Sequence, residues 1–178
     1  DHESAHSLWD TRGDDGIFEN PNYQGPGRSE FKDALRNDRW FPQELDTKIS
    51  WIASLLHYSL LEEMGLDEES KSRVDEIYNE YISEVRAKHK SREVVTIERY
   101  LALCSAFNEA LGEENKFPTP EMLEEAALDE RFAYNFSSWS RVDNKFIRDF
   151  NTLPEDILNL FNQMRYKGEP LKEESLMN

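Results

Sequence analysis

Carboxylates are the reactive groups this chain carries in greatest number, with 37 Asp and Glu among 178 residues. Four apart on a helix, as Glu80 with Glu84 or Glu109 with Glu113, two of them share a face and could ligate a cation. Di-iron bundles need a Glu-x-x-His pair on each of two helices. That pattern is missing, because Ser54 stands three residues before His57 and Arg86 three before His89, while His2 and His6 lie near the first residue. No His-Glu-x-x-His run, paired-Cys motif or EF-hand loop is present; Asp10 to Glu19 has Arg12 third and Asp15 sixth, where calcium coordination needs an acid and a glycine. No metal and no cofactor are expected.

Covalent catalysis would need Cys104 or a serine beside a base. Cys104 lies in the most apolar segment of the chain, where a lone thiol behaves as a small hydrophobe. His57 lies among Leu55, Leu56, Leu60 and Leu61, the setting of a hydrogen-bonded packing residue. The two would pair only if their helices met at those levels. Arg12-Gly13-Asp14 and the glycosylation triplet Asn135-Phe136-Ser137 matter only outside the cell and carry no weight. Without a Gly-rich loop between strand and helix, or a basic face, nucleotide and direct nucleic-acid binding are disfavoured. The expectation is a protein that is not an enzyme.

Against 21 Lys and Arg the acids leave a net charge of −16. Such a field repels phosphates and steers basic proteins inward. Two clusters concentrate it: nine acids against Lys71 and Arg73 between Glu62 and Glu84, and seven against Lys116 between Glu113 and Glu130. Charged outer faces are ordinary on amphipathic helices, but two clusters in one acidic chain point to a surface shaped for a basic protein. Glu68, Glu69, Asp75, Glu76, Glu80 and Glu84 are the candidate binding face, with Glu121, Glu124, Glu125, Asp129 and Glu130 beside them. The function expected is an acidic protein-binding domain that occupies or inhibits a basic partner, in its sharpest form an inhibitor, immunity protein or nucleic-acid mimic. The alternative is an accessory or structural subunit of a larger enzyme or assembly, docked through its N-terminal segment and the aromatics Trp9, Phe18, Tyr23 and Trp40.

At this length one domain can bury about 70 per cent of its unfolded surface. Hydrophobic content is 38% and aromatic content 12%, so a folded core under a charged surface is expected. A single Cys104 forms no internal disulfide, and no leader-like stretch or apolar run of eighteen residues occurs. A cytoplasmic location without membrane attachment is therefore expected, although a chain that opens on Asp1 is compatible with a removed leader. The oligomeric state is left open.

Glycines 13, 16, 25 and 27 with Pro21 and Pro26 give residues 1–27 loop composition. They read as an extended, irregular arm, packed either on its own core or on a partner. Beyond it the periodicity is helical, and residues 28–168 read as a single-domain, all-α bundle of about six helices followed by a polar tail at 169–178. A short helix is expected over Ser29–Asn37. Leu45, Ile49, Ile52, Leu56, Leu60 and Met64 mark a helix over 43–64, whose stripe Trp51, Leu55, Tyr58 and Leu61 would widen, so that it lies deep in the bundle. Asp67 caps the next helix, closed by Lys88, His89 and Lys90. Residues 92–111, apolar nearly all round, read as the other central helix. A short helix follows over 119–129, then a segment whose helical face is Trp139, Val142, Phe146, Ile147 and Phe150, and last a helix capped by Thr152 with Glu155.

Overall fold

The computed structural model describes residues 2–9, 16–140 and 153–171. Over these residues the chain is all-α, with α1 (His2–Trp9), α2 (Arg28–Arg36), α3 (Phe41–Glu62), α4 (Glu68–Lys90), α5 (Ile97–Leu111), α6 (Pro120–Ser140) and α7 (Glu155–Gln163). A 3-10 turn, Ile17–Glu19, and three two-residue strands, β1 (Tyr23–Gln24), β2 (Arg165–Tyr166) and β3 (Glu169–Pro170), complete it. Two units form: residues 1–41 with 127–178, and residues 42–126.

In the first unit the expected irregular segment contains a helix. Ala5, Leu8 and Trp9 fall at helical spacing and are all buried, so burial of one face holds α1 despite the loop composition around it. Trp9 lies 4.8 Å from Phe132, and Phe31 lies 5.1 Å from Phe161, in a core of stacked and edge-on rings. Beside them the buried carboxylate of Asp38 accepts from Arg131 Nε at 3.0 Å, Asn135 Nδ2 at 2.9 Å and the Trp40 N–H at 2.8 Å. That set meets the requirement that a buried charge be paired and bonded. β1, β2 and β3 pair antiparallel. The β2–β3 turn places Lys167 and Gly168 at φ 55° and 82°, the left-handed pair a two-residue hairpin demands. Gly13, Val142, Phe146, Ile147, Phe150, Thr152 and tail residues 172–178 lie outside the described residues.

The second unit is built on α3, α4 and α5. α4 starts where Asp67 accepts from the Ser70 N–H at 2.8 Å, and α5 where Thr96 accepts from Arg99 at 3.2 Å. That second cap is why the helix expected from Arg92 begins five residues later; Arg92 itself sits at φ 61°. α3 and α4 run antiparallel, cross-bonded at Asp46–His89, Ser54–Tyr78 and His57–Asp75. Ile49, Ala53 and Leu60 of α3 meet Val74, Ile77 and Tyr81 of α4 and Tyr100, Leu103 and Phe107 of α5 in one core.

Three expectations need correction. α3 is not buried all round, because Trp51, Leu55 and Tyr58 are 59%, 44% and 61% exposed. α5 likewise faces solvent at Leu101. The short helix expected over 119–129 instead runs on without a break from Pro120 to Ser140, since no Gly or Pro interrupts that stretch after its first residue.

Asp46 fixes the rotation of α3. Only 7% exposed, its carboxylate bonds His89 Nε2 at 2.6 Å and accepts the Val95 N–H at 3.0 Å. Asp46→Ala strands that N–H, an effect of about 2 kcal/mol, and is expected to lower urea stability by that much and to speed exchange of the Val95 amide proton. An unchanged Val95 exchange rate would contradict this role.

Candidate functional site

The candidate acids of α4 are sorted by the helix period. Val74, Ile77, Tyr81 and Val85 take the buried face, which leaves Glu68, Glu69, Glu76 and Glu80 on the opposite arc, all exposed. At 1.5 Å per residue they span about 18 Å of helix. Glu68 reaches Lys71 at 3.9 Å and Glu76 reaches Arg73 at 3.3 Å, solvent-screened pairs that hold little energy. Glu69 and Glu80 have no ion pair among the described residues. An open depression of about 410 Å³ lies beside this arc, lined by Glu69, Ser70, Ser72, Arg73 and Glu76 with Ala110 of α5.

The other two acids proposed on this helix are engaged within the unit. Asp75 lies 2.9 Å from His57 Nε2. Glu84 takes both Nε and Nη2 of Arg99, at 2.5 and 3.3 Å. That hydrogen-bonded guanidinium holds the Glu84 carboxyl below its usual range. Asp67 is also held low, by the N–H it caps.

The second cluster is divided. Glu121 is exposed, and Glu124 and Glu125 are half-buried in the second unit. Asp129 and Glu130 belong to the first unit, where His6 of α1 bridges them at 2.8 and 3.3 Å. The sequence treats the cluster as one patch because it cannot show that a distant histidine returns to it.

Of the four aromatics, three pack on their own unit. Trp9 is 2% exposed; Phe18 lies 5.6 Å from Phe31, with the Arg28 guanidinium 5.0 Å from its ring. Tyr23 is half-buried, donates its hydroxyl to the Pro26 carbonyl and is pushed up by burial. Trp40 alone of the four is exposed, at 49%, with Arg39 over its ring.

No family model, curated protein or solved structure matches the chain. Its site must be read from its own geometry. Among the described residues no group of three His, Cys, Asp or Glu side chains converges as metal ligands do, and no helix is long and apolar enough to cross a membrane. His57 stacks on Tyr78 at 3.9 Å and bonds Asp75, while Ser54 bonds the Tyr78 hydroxyl at 2.9 Å. Cys104 is buried and its thiol is pushed up by that burial, the opposite of an activated nucleophile. Asn135, the glycosylation candidate, is 4% exposed with its amide nitrogen bonded to Asp38 and the Arg131 carbonyl. Arg12, Gly13 and Asp14 lie outside the described residues.

The feature the sequence misplaced is the outer face of α3. Trp51, Leu55 and Tyr58 lie opposite Asp46, Ile49, Ala53 and Leu60 on the helix wheel. Asp46, the sixth residue of α3, lies on the inward side with its carboxylate bonded, and that tertiary pairing is what turns the other face outward.

Because the folded Glu84 carboxyl is lowered, its contribution is present above the unfolded carboxylate range and is lost as pH falls through the folded value. Glu84→Gln is expected to cost about 0.5 kcal/mol at neutral pH, the size of a screened pair. That gap should close as pH drops below the ordinary carboxylate value of about 4.3. Urea melts of both chains across pH check it, and a gap that persists in acid would contradict the Arg99 assignment.

Proposed function

We propose that this chain acts by binding a basic protein through the outer arc of α4, as an inhibitor, an immunity protein or a mimic of nucleic acid. The observation that supports the reading is the arc itself: Glu68, Glu69, Glu76 and Glu80 exposed along one side of a capped, 23-residue helix, two of them without ion pairs among the described residues. A helix anchored by a packed opposite face fixes the backbone positions from which the carboxylates project, so only side-chain freedom is lost when a cationic surface meets them. The net charge of −16 attracts that surface from a distance and turns nucleic acid away. The partner is a basic protein of the cytoplasm, met without turnover and without a membrane. Docking through Trp9, Phe18 and Tyr23 has less support, since those rings pack within their own unit.

Capture from the source lysate followed by affinity measurement tests the reading. Raising salt from about 50 to about 300 mM shortens the screening length and is expected to weaken the captured basic protein about tenfold or more. Neutralising the arc as E68Q/E69Q/E76Q/E80Q should reproduce most of that loss at low salt. A partner whose affinity ignores both changes would overturn the proposal.

A further inference from the structure

Arg86, Lys88, Lys90 and Arg92 crowd the end of α4, in a chain whose net charge is −16. None of the four has an ion pair among the described residues, and all but Lys88 are exposed. Glu84, the acid that precedes them, is held by Arg99 of α5, and His89 between them is held by Asp46. The helix dipole accounts for part of this, since Lys88, His89 and Lys90 make up a basic last turn. It does not account for Arg86, which lies before that turn. Nor does it account for Arg92, which lies past the helix at φ 61°, where glycine is the usual residue and any side chain adds backbone strain.

Arg86 and Lys90, four apart, share a row on the side away from Val74, Ile77, Tyr81 and Val85. That is also the side of Glu68, Glu69, Glu76 and Glu80. The outer face of α4 therefore has two signs, acidic from Glu68 to Glu80 and basic from Arg86 onward, with about 9 Å of helix between them.

We propose, on the reading that the outer arc of α4 binds a basic protein, that the same partner carries an acidic patch beside its basic one and that α4 docks on it in one direction. A uniformly basic groove meets the arc but opposes Arg86, Lys90 and Arg92, and like charges set together cost affinity. A surface of both signs meets the arc and the basic end at once. It also selects one direction of docking, because turning α4 end for end brings like charges together at both ends. The occupant is thus a protein surface with neighbouring patches of opposite sign, and not a polycationic tail or a groove built for phosphates alone.

Two synthetic peptides of one composition test this by titration calorimetry of the full chain at about 20 mM salt, where screening is weak. The first has a block of lysines and a block of glutamates held apart by a stiff polyproline spacer of about 9 Å. The second has the same lysines and glutamates in alternation around the same spacer. The chain is expected to bind the block peptide about threefold tighter or more. R86E/K90E/R92E should abolish that preference, and should tighten binding of a lysine-only peptide about threefold, with circular dichroism confirming that the helices remain. Arg86→Glu alone changes an exposed side chain that has no ion pair among the described residues, so it is expected to leave the fold intact and to cut the preference by about half. Equal binding of the two peptides by the unaltered chain, or a preference that survives the reversals, would overturn this proposal and leave the acidic arc standing. If E68Q/E69Q/E76Q/E80Q instead binds all three peptides as the unaltered chain does, the arc reading itself falls, and this one with it.

Discussion

A buried carboxylate decides what the second unit shows to solvent. Asp46 lies near the start of α3, where it must be bonded or expel its charge, and His89 with the Val95 N–H supplies the bonds. Once that residue faces inward the helix period leaves no choice. Ile49, Ala53 and Leu60 follow it into the core, and Trp51, Leu55 and Tyr58 turn outward. The contact also ties the start of α3 to the end of α4 and the segment leading into α5, so one acid aligns three helices. The same logic holds in the first unit at Asp38, whose bonds to Arg131 and Asn135 join the segment after α2 to α6.

Charge acts differently at the surface. Of the acids on α4, those whose partners lie on a neighbouring helix become structural, as Asp75 does with His57 and Glu84 with Arg99. Those on the outer arc keep only local i,i+3 pairs or none among the described residues. Exposed pairs contribute little to stability, so the arc adds little to what holds the unit together. The exposed faces of α3 and α4 differ in kind, one apolar at Trp51, Leu55 and Tyr58 and the other acidic at Glu68, Glu69, Glu76 and Glu80.

Much of the fold is legible in the residues because helix ends are local. Asp67, Gly65 and Gly112 mark boundaries through capping bonds and left-handed backbone that depend on nearby chain only. Thr96 carries the same information, but Val94 and Val95 extend the apolar pattern beyond the helix and mask it. α1 was hidden for the opposite reason: glycines 13 and 16 dominate its neighbourhood, while Ala5, Leu8 and Trp9 make a face too short to register as periodic. The candidate site was legible by helix and not by residue. Which acids remain exposed depends on where His6, His57 and Arg99 arrive from elsewhere, and that is tertiary information. α3 was misjudged because it is apolar on two faces, and composition alone reads two faces as burial all round.

The most direct check is hydroxyl-radical footprinting of the dilute chain, which reads side-chain exposure residue by residue. If Asp46 sets the rotation of α3, Trp51 and Tyr58 should oxidise many times faster than Tyr81 and Tyr100, which are fully buried. Protection of Trp51 and Tyr58 in the dilute chain would contradict that orientation.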